Sequence, residues 1–386
     1  MISQKASGIT SFIVMDIQDK AKEMEARGEH IIHLEIGEPD FDAPQKVIEA
    51  TINGLNNKDT HYTHSLGKIT LRNAIADHYK KTYGVTVDPE QIIVTSGTSP
   101  AMVMAFAAIL DQGDEVIIPN PYYACYPNFI KMFDGVPVAI KVLDENGFKY
   151  DLETLKSHLT QKTKAIMVNS PANPTGAVYG EQELKNIAAL DKLVICDEIY
   201  HGLVYEGECH TMLEYTQNCI VLNGFSKLYA MTGFRMGYAI VPKELIRTMQ
   251  ILQQNFFLCP GSFPQEGALA ALTEDCSTEL AKMKETYNQR RKYLIRRLKE
   301  MGIAPICEPQ GAFYTLANVK NYCTDSFQFA YEILEEAKVA VTPGIDFGSN
   351  AEGYLRISYA NSLENIKEGL NRLEHFLKTK KNGTVR

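Results

Sequence analysis

The stretch Asn223-Gly-Phe-Ser-Lys-Leu-Tyr-Ala-Met-Thr-Gly-Phe-Arg235 follows an apolar run at residues 219–222 that predicts a short buried strand. Lys227 lies just past the end of this strand, and Arg235 follows eight residues later. A lysine with apolar neighbours can lose its proton and attack a carbonyl, and an arginine can hold an anion through two parallel hydrogen bonds. Taken alone, the two cations fit a solvated loop better, since most such residues are exposed. The rest of the chain favours a functional site over a solvated loop.

Seven apolar segments, one of them the run just described, alternate with helical segments from about residue 88 onward. They cover residues 92–94, 116–118, 136–140, 165–168, 193–196, 219–222 and 237–241. This alternation predicts an α/β fold whose large domain has a mostly parallel seven-stranded sheet covered by helices on both faces. Functional residues should then follow the ends of the strands.

The turn after the first of these strands is a candidate anion site. Thr95-Ser-Gly-Thr-Ser-Pro-Ala101 precedes an apolar helix, with Ser99 suited to the N-cap and Pro100 to the first helical position. Free N–H groups and hydroxyls at a helix N-terminus bind anions, although an ordinary cap accounts for the stretch equally well. It matches neither GxGxxG nor GxxxxGK[ST], which disfavours a dinucleotide or a nucleoside triphosphate.

Other strand ends carry further candidates, each with a structural alternative. Tyr123 can stack on a flat ring or belong to an aromatic core. Asn173 is fixed between prolines as a directed hydrogen bonder. Asp197 closes an apolar strand and needs a partner, either a cationic ring nitrogen or a group that it caps. Arg356 lies within a predicted strand at residues 353–360 and needs an anion, from the protein or from a ligand carboxylate.

The N-terminal part supplies two weaker candidates. A helix predicted at residues 9–27, which Gly28 ends, precedes a strand at 31–34 and the loop that begins at Gly37. Gly37 either belongs to a plain connector or brings the backbone close to a ligand. Tyr62 lies in a polar loop, where a tyrosine is usually a packing residue with a wet hydroxyl.

Composition restricts the class of protein. The 386 residues are 45% hydrophobic and 22% charged, as in globular proteins with a large core and room for two domains. The net charge of −8 and the lack of a basic helix face argue against nucleic acid. The eight cysteines contain no CxxC pair, which indicates reduced thiols and no metal site. No export signal and no membrane span are evident, so we expect a cytoplasmic protein.

The candidates form the set that holds pyridoxal 5′-phosphate, with a lysine for its aldehyde and an aspartate for its ring nitrogen. Four motifs carry a resemblance: Ser170-Pro-Ala-Asn-Pro-Thr-Gly176, Asp197-Glu-Ile-Tyr200, Ser226-Lys227 with Arg235, and Tyr354-Leu-Arg356. In order and spacing they resemble the class I/II aminotransferases of pyridoxal-phosphate fold type I, the aspartate aminotransferase-like family. The resemblance covers nearly the whole chain.

The resemblance implies a role for each matching residue. Lys227 bonds to the cofactor and moves the proton between substrate and cofactor, and Asp197 keeps the ring nitrogen protonated. Tyr200 and Asn173 bind the ring oxygen, and Tyr123 stacks on the ring. The phosphate is surrounded by Thr98, Ser99, Ser226 and Arg235, with Tyr62 of the partner subunit. Arg356 grips the substrate carboxylate, helped by Gly37 and Asn173.

The resemblance also implies a homodimer with shared sites. We expect a large domain at residues 49–288 and a smaller α+β domain formed by residues 1–48 and 289–386. Relatives that use aspartate have a Ser and a Thr where this chain has Phe12 and Val14, and a Lys near the place of Ser99 and Pro100. An apolar or aromatic donor is therefore favoured over aspartate, with 2-oxoglutarate as a typical acceptor in a ping-pong exchange.

Three alternatives remain open. A carbon–sulfur β-lyase on the same fold would use the same cofactor residues. A ligand-sensing regulator would need a DNA-binding module, of which the sequence has no sign. A nicotinamide oxidoreductase would need a Gly-rich turn that is lacking.

Overall fold

The computed structural model describes residues 1–383, in which strands and helices alternate along most of the chain. The strands are β1 (Ile32–His33), β2 (Ile92–Thr95), β3 (Glu115–Asn120), β4 (Val136–Lys141), β5 (Thr163–Asn169), β6 (Leu193–Asp197), β7 (Cys219–Gly224), β8 (Gly237–Ile240), β9 (Tyr314–Asn318), β10 (Val339–Ala340), β11 (Thr342–Pro343) and β12 (Tyr354–Ser358). The α-helices are α1 (Gln4–Ser7), α2 (Ile13–Ala26), α3 (Gln45–Asn56), α4 (Ile69–Tyr83), α5 (Thr98–Ile109), α6 (Tyr126–Met132), α7 (Leu152–Ser157), α8 (Glu181–Ala188), α9 (Lys243–Phe256), α10 (Ser262–Ala271), α11 (Ser277–Met301), α12 (Ser326–Glu332) and α13 (Leu363–Gly383).

A seven-stranded sheet in the order β2-β8-β7-β6-β5-β3-β4 forms the larger part of the molecule. Successive residues of a strand point to opposite faces of the sheet. In β2, Ile92 and Val94 belong to the apolar cluster on one face, and Ile93 belongs to the cluster on the opposite face. Helices therefore cover both faces, and the predicted α/β fold with a mostly parallel sheet is confirmed.

Strand β8 runs antiparallel to both of its neighbours, β2 and β7. The parallel strands end at one edge of the sheet, and β8 begins at that same edge. Arg235, two residues before β8, is thus brought to the edge where Lys227 leaves β7. Because β8 runs antiparallel to β7, the residues that follow β7 and those that precede β8 lie at the same edge of the sheet.

A smaller α+β unit combines the two ends of the chain. Its sheet β11-β12-β9 is antiparallel, and β1 pairs in parallel with β10, joining residue 32 to residue 339. Apolar residues of α2, α11 and α13 pack together in its core. The domain boundaries after residues 48 and 288 stay predictions, since α11 runs across the second of them.

The helix predicted in the N-terminal part holds within a few residues. The helix expected at 9–27 is α2, preceded by the short α1, and Gly28 follows its end in a left-handed conformation with φ of 88°. One detail is wrong: Ser99 is not the N-cap of α5, and Pro100 is not its first residue. The helix begins at Thr98 with Gly97 as its N-cap, because Gly97 adopts a φ of 103° that turns the chain earlier.

The described part of the chain shows no helix that combines the length and the apolar character needed to cross a membrane.

Candidate active site

A cavity of about 410 Å³ lies at the edge of the large sheet, between the loops after its strands and the small unit. It brings together eleven of the twelve predicted site residues: Gly37, Thr98, Ser99, Tyr123, Asn173, Asp197, Tyr200, Ser226, Lys227, Arg235 and Arg356. Tyr62 is the exception, since it does not line this cavity and is 83% exposed. The edge of a parallel sheet at its carboxyl end is where such folds bind ligands.

Lys227 lies three residues past β7 and points into the cavity. Its Nζ donates a hydrogen bond of 2.6 Å to the carbonyl of Gly37 and lies 5.9 Å from the centre of the Tyr200 ring. Burial lowers the pKa of Lys227 from its usual 10.5 to about 8, and the nearby cations Arg356 and Arg235 act in the same direction. A neutral amine is thus accessible near neutral pH, as a nucleophile toward a carbonyl requires.

Gly37 is the position at which this contact becomes possible. A Cβ at Gly37 would lie 2.3 Å from the hydroxyl oxygen of Tyr314, so a side chain there would force the loop and the tyrosine apart. The glycine lets the backbone carbonyl approach Lys227. The structure thus brings the Gly37 backbone close to Lys227, and its approach to a ligand stays a prediction.

Asp197 is the last residue of β6, and its carboxylate is buried in the cavity wall. Burial raises its pKa to about 6, although hydrogen bonds from the Tyr126 hydroxyl (2.7 Å) and the Ile199 N–H (3.2 Å) hold the pKa lower than burial alone would. A carboxylate in this setting gains from a cationic partner, because such a partner would offset the cost of its burial.

Arg235 and the start of α5 form a second, positively charged part of the cavity. Arg235 has a left-handed backbone, with φ of 55°, and donates from Nη1 to the carbonyl of Thr232 at 3.0 Å. Its guanidinium lies over Gly97, where a Cβ would come within 2.5 Å of Nη2. The hydroxyls of Thr98, Ser99 and Ser226 line the same cavity. An arginine beside the N-terminus of a twelve-residue helix is a site for an anion.

Arg356 projects from β12 and is fully buried. It donates to the Asn173 side-chain oxygen (3.0 Å), the Glu35 carbonyl (2.5 Å) and the Thr342 hydroxyl (3.2 Å). No described carboxylate forms a salt bridge with it, and its Nε has no hydrogen-bond partner. A buried guanidinium in this state is ready for a carboxylate from a ligand.

The two aromatic residues of the site differ in their surroundings. Tyr200 is buried, and its hydroxyl forms a hydrogen bond of 2.8 Å with that of Tyr314. Tyr123 lines the cavity and meets the ring of Phe12 edge-on, with 5.9 Å between ring centres. Phe12 and Val14 both line the cavity, so the apolar character of these two positions faces the space for a ligand.

The sequence analysis missed two tyrosines that organise the site. Tyr126 binds Asp197, and the signal for it was the presence of three tyrosines in five residues after β3. Tyr314 contacts Tyr200 and lies 4.4 Å below the Arg356 guanidinium, but it occurs in a strand whose pattern indicates only a core residue. Among residues 1–383, no group of three or more His, Cys, Asp and Glu side chains is arranged to hold a metal ion.

Comparison with known proteins identifies the family. A model of the family aminotransferase class I and II matches residues 29–373. The chain is 42% identical over 380 residues to a (5-formylfuran-3-yl)methyl phosphate transaminase of Methanocaldococcus jannaschii, which covers 98% of this chain and 100% of that protein. It is 38% identical over 390 residues to an aspartate aminotransferase of Bacillus subtilis, covering 97% and 98% of the two chains.

A solved structure from Methanococcus jannaschii matches with a TM-score of 0.91 and 42% identity, over 98% of this chain and 100% of that one. That protein is described as similar in its active site to kynurenine aminotransferases. The chain and the Methanococcus jannaschii protein therefore share the architecture described above over nearly their full lengths.

Proposed function

The chain belongs to the aminotransferase class I and II family and is an aminotransferase, and from this premise we propose that it uses pyridoxal 5′-phosphate to move the amino group of an L-amino acid to a 2-oxo acid. The observation that carries the proposal is the convergence, in one cavity, of Lys227 with a lowered pKa, buried Asp197 and Arg356 without a counter-ion.

The residues of the cavity fit this cofactor in three respects. Arg235 beside the start of α5 suits its phosphate, and Lys227 suits its carbonyl carbon. Asp197 suits a protonated ring nitrogen, which would supply the counter-charge that the buried carboxylate needs. When bound, the cofactor supplies an electrophilic carbonyl and a ring that takes up an electron pair. The chain supplies binding, orientation and proton transfer.

The roles that we propose for the other residues are those implied by the family resemblance, and their shared place in the cavity supports them. Arg356 binds the α-carboxylate of the donor, and its contact with Asn173 holds the guanidinium in the cavity. Nζ of Lys227 receives the proton that leaves the donor Cα. Tyr200 and Asn173 line the cavity and would bind the ring oxygen of the cofactor, and Tyr123 would cover the ring. The exchange is ping-pong: the donor leaves as a 2-oxo acid before an acceptor such as 2-oxoglutarate enters the same cavity.

The donor we propose is apolar or aromatic. A donor with a side-chain carboxylate would need a hydroxyl or a cation beside that group. The part of the cavity wall formed by α2 and its N-cap has three apolar residues, Phe12, Val14 and Met15, and one neutral polar residue, Gln18. The names of the relatives do not decide between an acidic and an aromatic donor. One relative is an aspartate aminotransferase, and another is described as similar in its active site to kynurenine aminotransferases. The apolar wall is the observation that favours the second type.

A homodimer completes the proposal. Tyr62 is exposed, and large apolar side chains are exposed on α3, on α4, at the end of α9 and in the segment just after it: Ile52, Leu55, Ile69, Phe256 and Leu258. Thr63 contacts the Pro260 carbonyl at 3.3 Å, so the loop with Tyr62 packs on this segment. A second copy on this surface would cover the apolar side chains and bring Tyr62 of the partner subunit to the phosphate.

Visible absorbance tests the function. The protein, incubated with pyridoxal 5′-phosphate, receives single amino acids with no acceptor present. We expect loss of the cofactor band and one equivalent of 2-oxo acid per site, without ammonia. Lys227→Ala should bind the cofactor without forming that band. Release of ammonia and pyruvate with the band restored would establish a carbon–sulfur β-lyase instead, and a protein that acquires no band would overturn the proposal.

A further inference from the structure

The first turn of α2 lacks an N-cap of its own. The N-cap position is Phe12, whose side chain accepts no hydrogen bond and instead faces the cavity beside Tyr123. Serine, threonine, aspartate or asparagine normally occupies this position, because a side-chain oxygen there binds the free N–H groups of the first turn. The helix that forms one wall of the cavity therefore needs an acceptor from elsewhere.

Asp346 provides that acceptor from the other end of the chain. Its Oδ1 accepts from the Ile13 N–H at 3.1 Å, and its Oδ2 accepts from the Val14 N–H at 3.3 Å. Asp346 is 8% exposed and does not line the cavity. Both carboxylate oxygens are thus bound to the backbone of the two residues that follow Phe12.

The turn that carries Asp346 is itself tied to two other parts of the site. Phe347 accepts at its carbonyl from the Tyr122 N–H at 3.0 Å, next to Tyr123. The Phe347 ring lies 4.8 Å from the guanidinium carbon of Arg356. One short turn, Gly344–Phe347, therefore contacts the wall formed by α2, the loop before α6 and the arginine that we propose for the α-carboxylate.

We propose that Asp346 is a positioning residue for donor specificity: it fixes the start of α2, and with it Phe12, Val14 and Met15, at a set distance from Arg356. The donor binds with its carboxylate at Arg356 and its side chain against this wall, so the distance between the two selects the size of the side chain. This inference rests on the proposed function, because it concerns the side chain of the donor.

Two variants separate this role from others. Asp346→Ala removes both acceptors, and Asp346→Asn keeps one oxygen and loses the charge. The matched control is Asp151→Ala, since Asp151 caps α7 through the Thr154 N–H at 2.8 Å, away from the cavity and from the turn that carries Asp346. A second site is available if Asp346→Ala does not fold: Asn128 holds Thr10, two residues before Phe12, through three contacts of 3.2–3.3 Å, so Asn128→Ala loosens the same wall.

The first readout needs no cofactor. Amide hydrogen exchange of the peptide spanning residues 9–16 should be about fivefold faster in Asp346→Ala, with Asp346→Asn between it and the wild type, and unchanged in Asp151→Ala. Unchanged exchange in Asp346→Ala would overturn the proposal, because the bonds to the α2 backbone would then hold nothing.

The second readout is selectivity. The ratio of kcat/KM for L-phenylalanine over L-alanine should fall about fivefold in Asp346→Ala, because the wall affects the larger side chain. An equal loss for both donors would overturn the proposal and indicate an effect through Arg356 alone. If the wild type transaminates no amino acid, the proposed function fails, while the exchange experiment still reports whether Asp346 holds α2.

Discussion

The strongest prediction concerns Arg356 and a single group on the substrate. L-Phenylalanine and 2-phenylethylamine share a side chain and an amino group, and only the first has an α-carboxylate. Arg356→Lys keeps the positive charge but loses the pair of parallel donors that can bind both carboxylate oxygens. The wild type should strongly prefer the amino acid, and the variant should lose much of that preference.

The magnitude follows from the surroundings of Arg356. It is buried, forms no salt bridge with a described carboxylate and has an Nε without a partner. A hydrogen bond to a charged group contributes about 1.5–3 kcal/mol, so losing one should lower kcat/KM for phenylalanine about 10- to 150-fold. Arg356→Met removes the charge as well, and the coupling between arginine and carboxylate should then reach about 3–5 kcal/mol.

Single-turnover absorbance measurements on both substrates give the four rate constants of this cycle. Arg290→Lys is the matched control, since Arg290 is also buried and has an Nε without a partner but binds Asp40 at 2.7 Å away from the cavity. The reasoning is refuted if Arg356→Lys slows phenylalanine and phenylethylamine by the same factor, or if Arg290→Lys changes their ratio equally.

Two further predictions concern the cofactor side of the cavity. Reductive methylation of cofactor-free protein should modify Lys227 at a rate that levels off above about pH 8, since its pKa is lowered to about 8, while exposed lysines gain about tenfold per pH unit up to about pH 10; mass spectrometry measures both, and identical pH dependence would contradict the lowered pKa. Gly97→Ala should weaken the binding of pyridoxal 5′-phosphate, because the new Cβ would lie 2.5 Å from the Arg235 guanidinium. Gly113→Ala is its control, with φ of 86° and open space around the Cβ, and an equal loss of affinity in both would attribute the effect to backbone strain alone.

Much of the large sheet could be predicted from the sequence because its strands are buried on both faces. Short continuous apolar runs such as residues 92–94 and 165–168, separated by helical segments, are typical of strands in a parallel sheet. The direction of β8 could not be predicted in this way. Apolar periodicity tells which residues are buried but carries no information about the sense in which a strand runs, and hairpin connections of twelve residues have no turn signature.

The site residues that could be predicted from the sequence alone are charged residues that occur within or at the end of an apolar strand. An aspartate that closes an apolar strand and an arginine inside another are both costly unless they have partners, and Asp197 and Arg356 were identified for that reason. Tyr126, Tyr314 and Asp346 are not unusual for their sequence surroundings. Their roles arise from contacts with residues more than 40 positions away, which only the fold reveals.

The hairpin of β7 and β8 has a consequence for how this chain tolerates changes in length. Gly224 pairs with Gly237, so the connection between them has a fixed span, and Lys227 and Arg235 both lie within it. Most of the other site residues are attached to separate strands, and insertions between those strands would leave their separations unchanged. An inserted or deleted residue between 227 and 235 would instead alter the separation of amine and guanidinium directly. A descendant could keep every functional side chain and still lose the reaction by the gain of one residue in this segment.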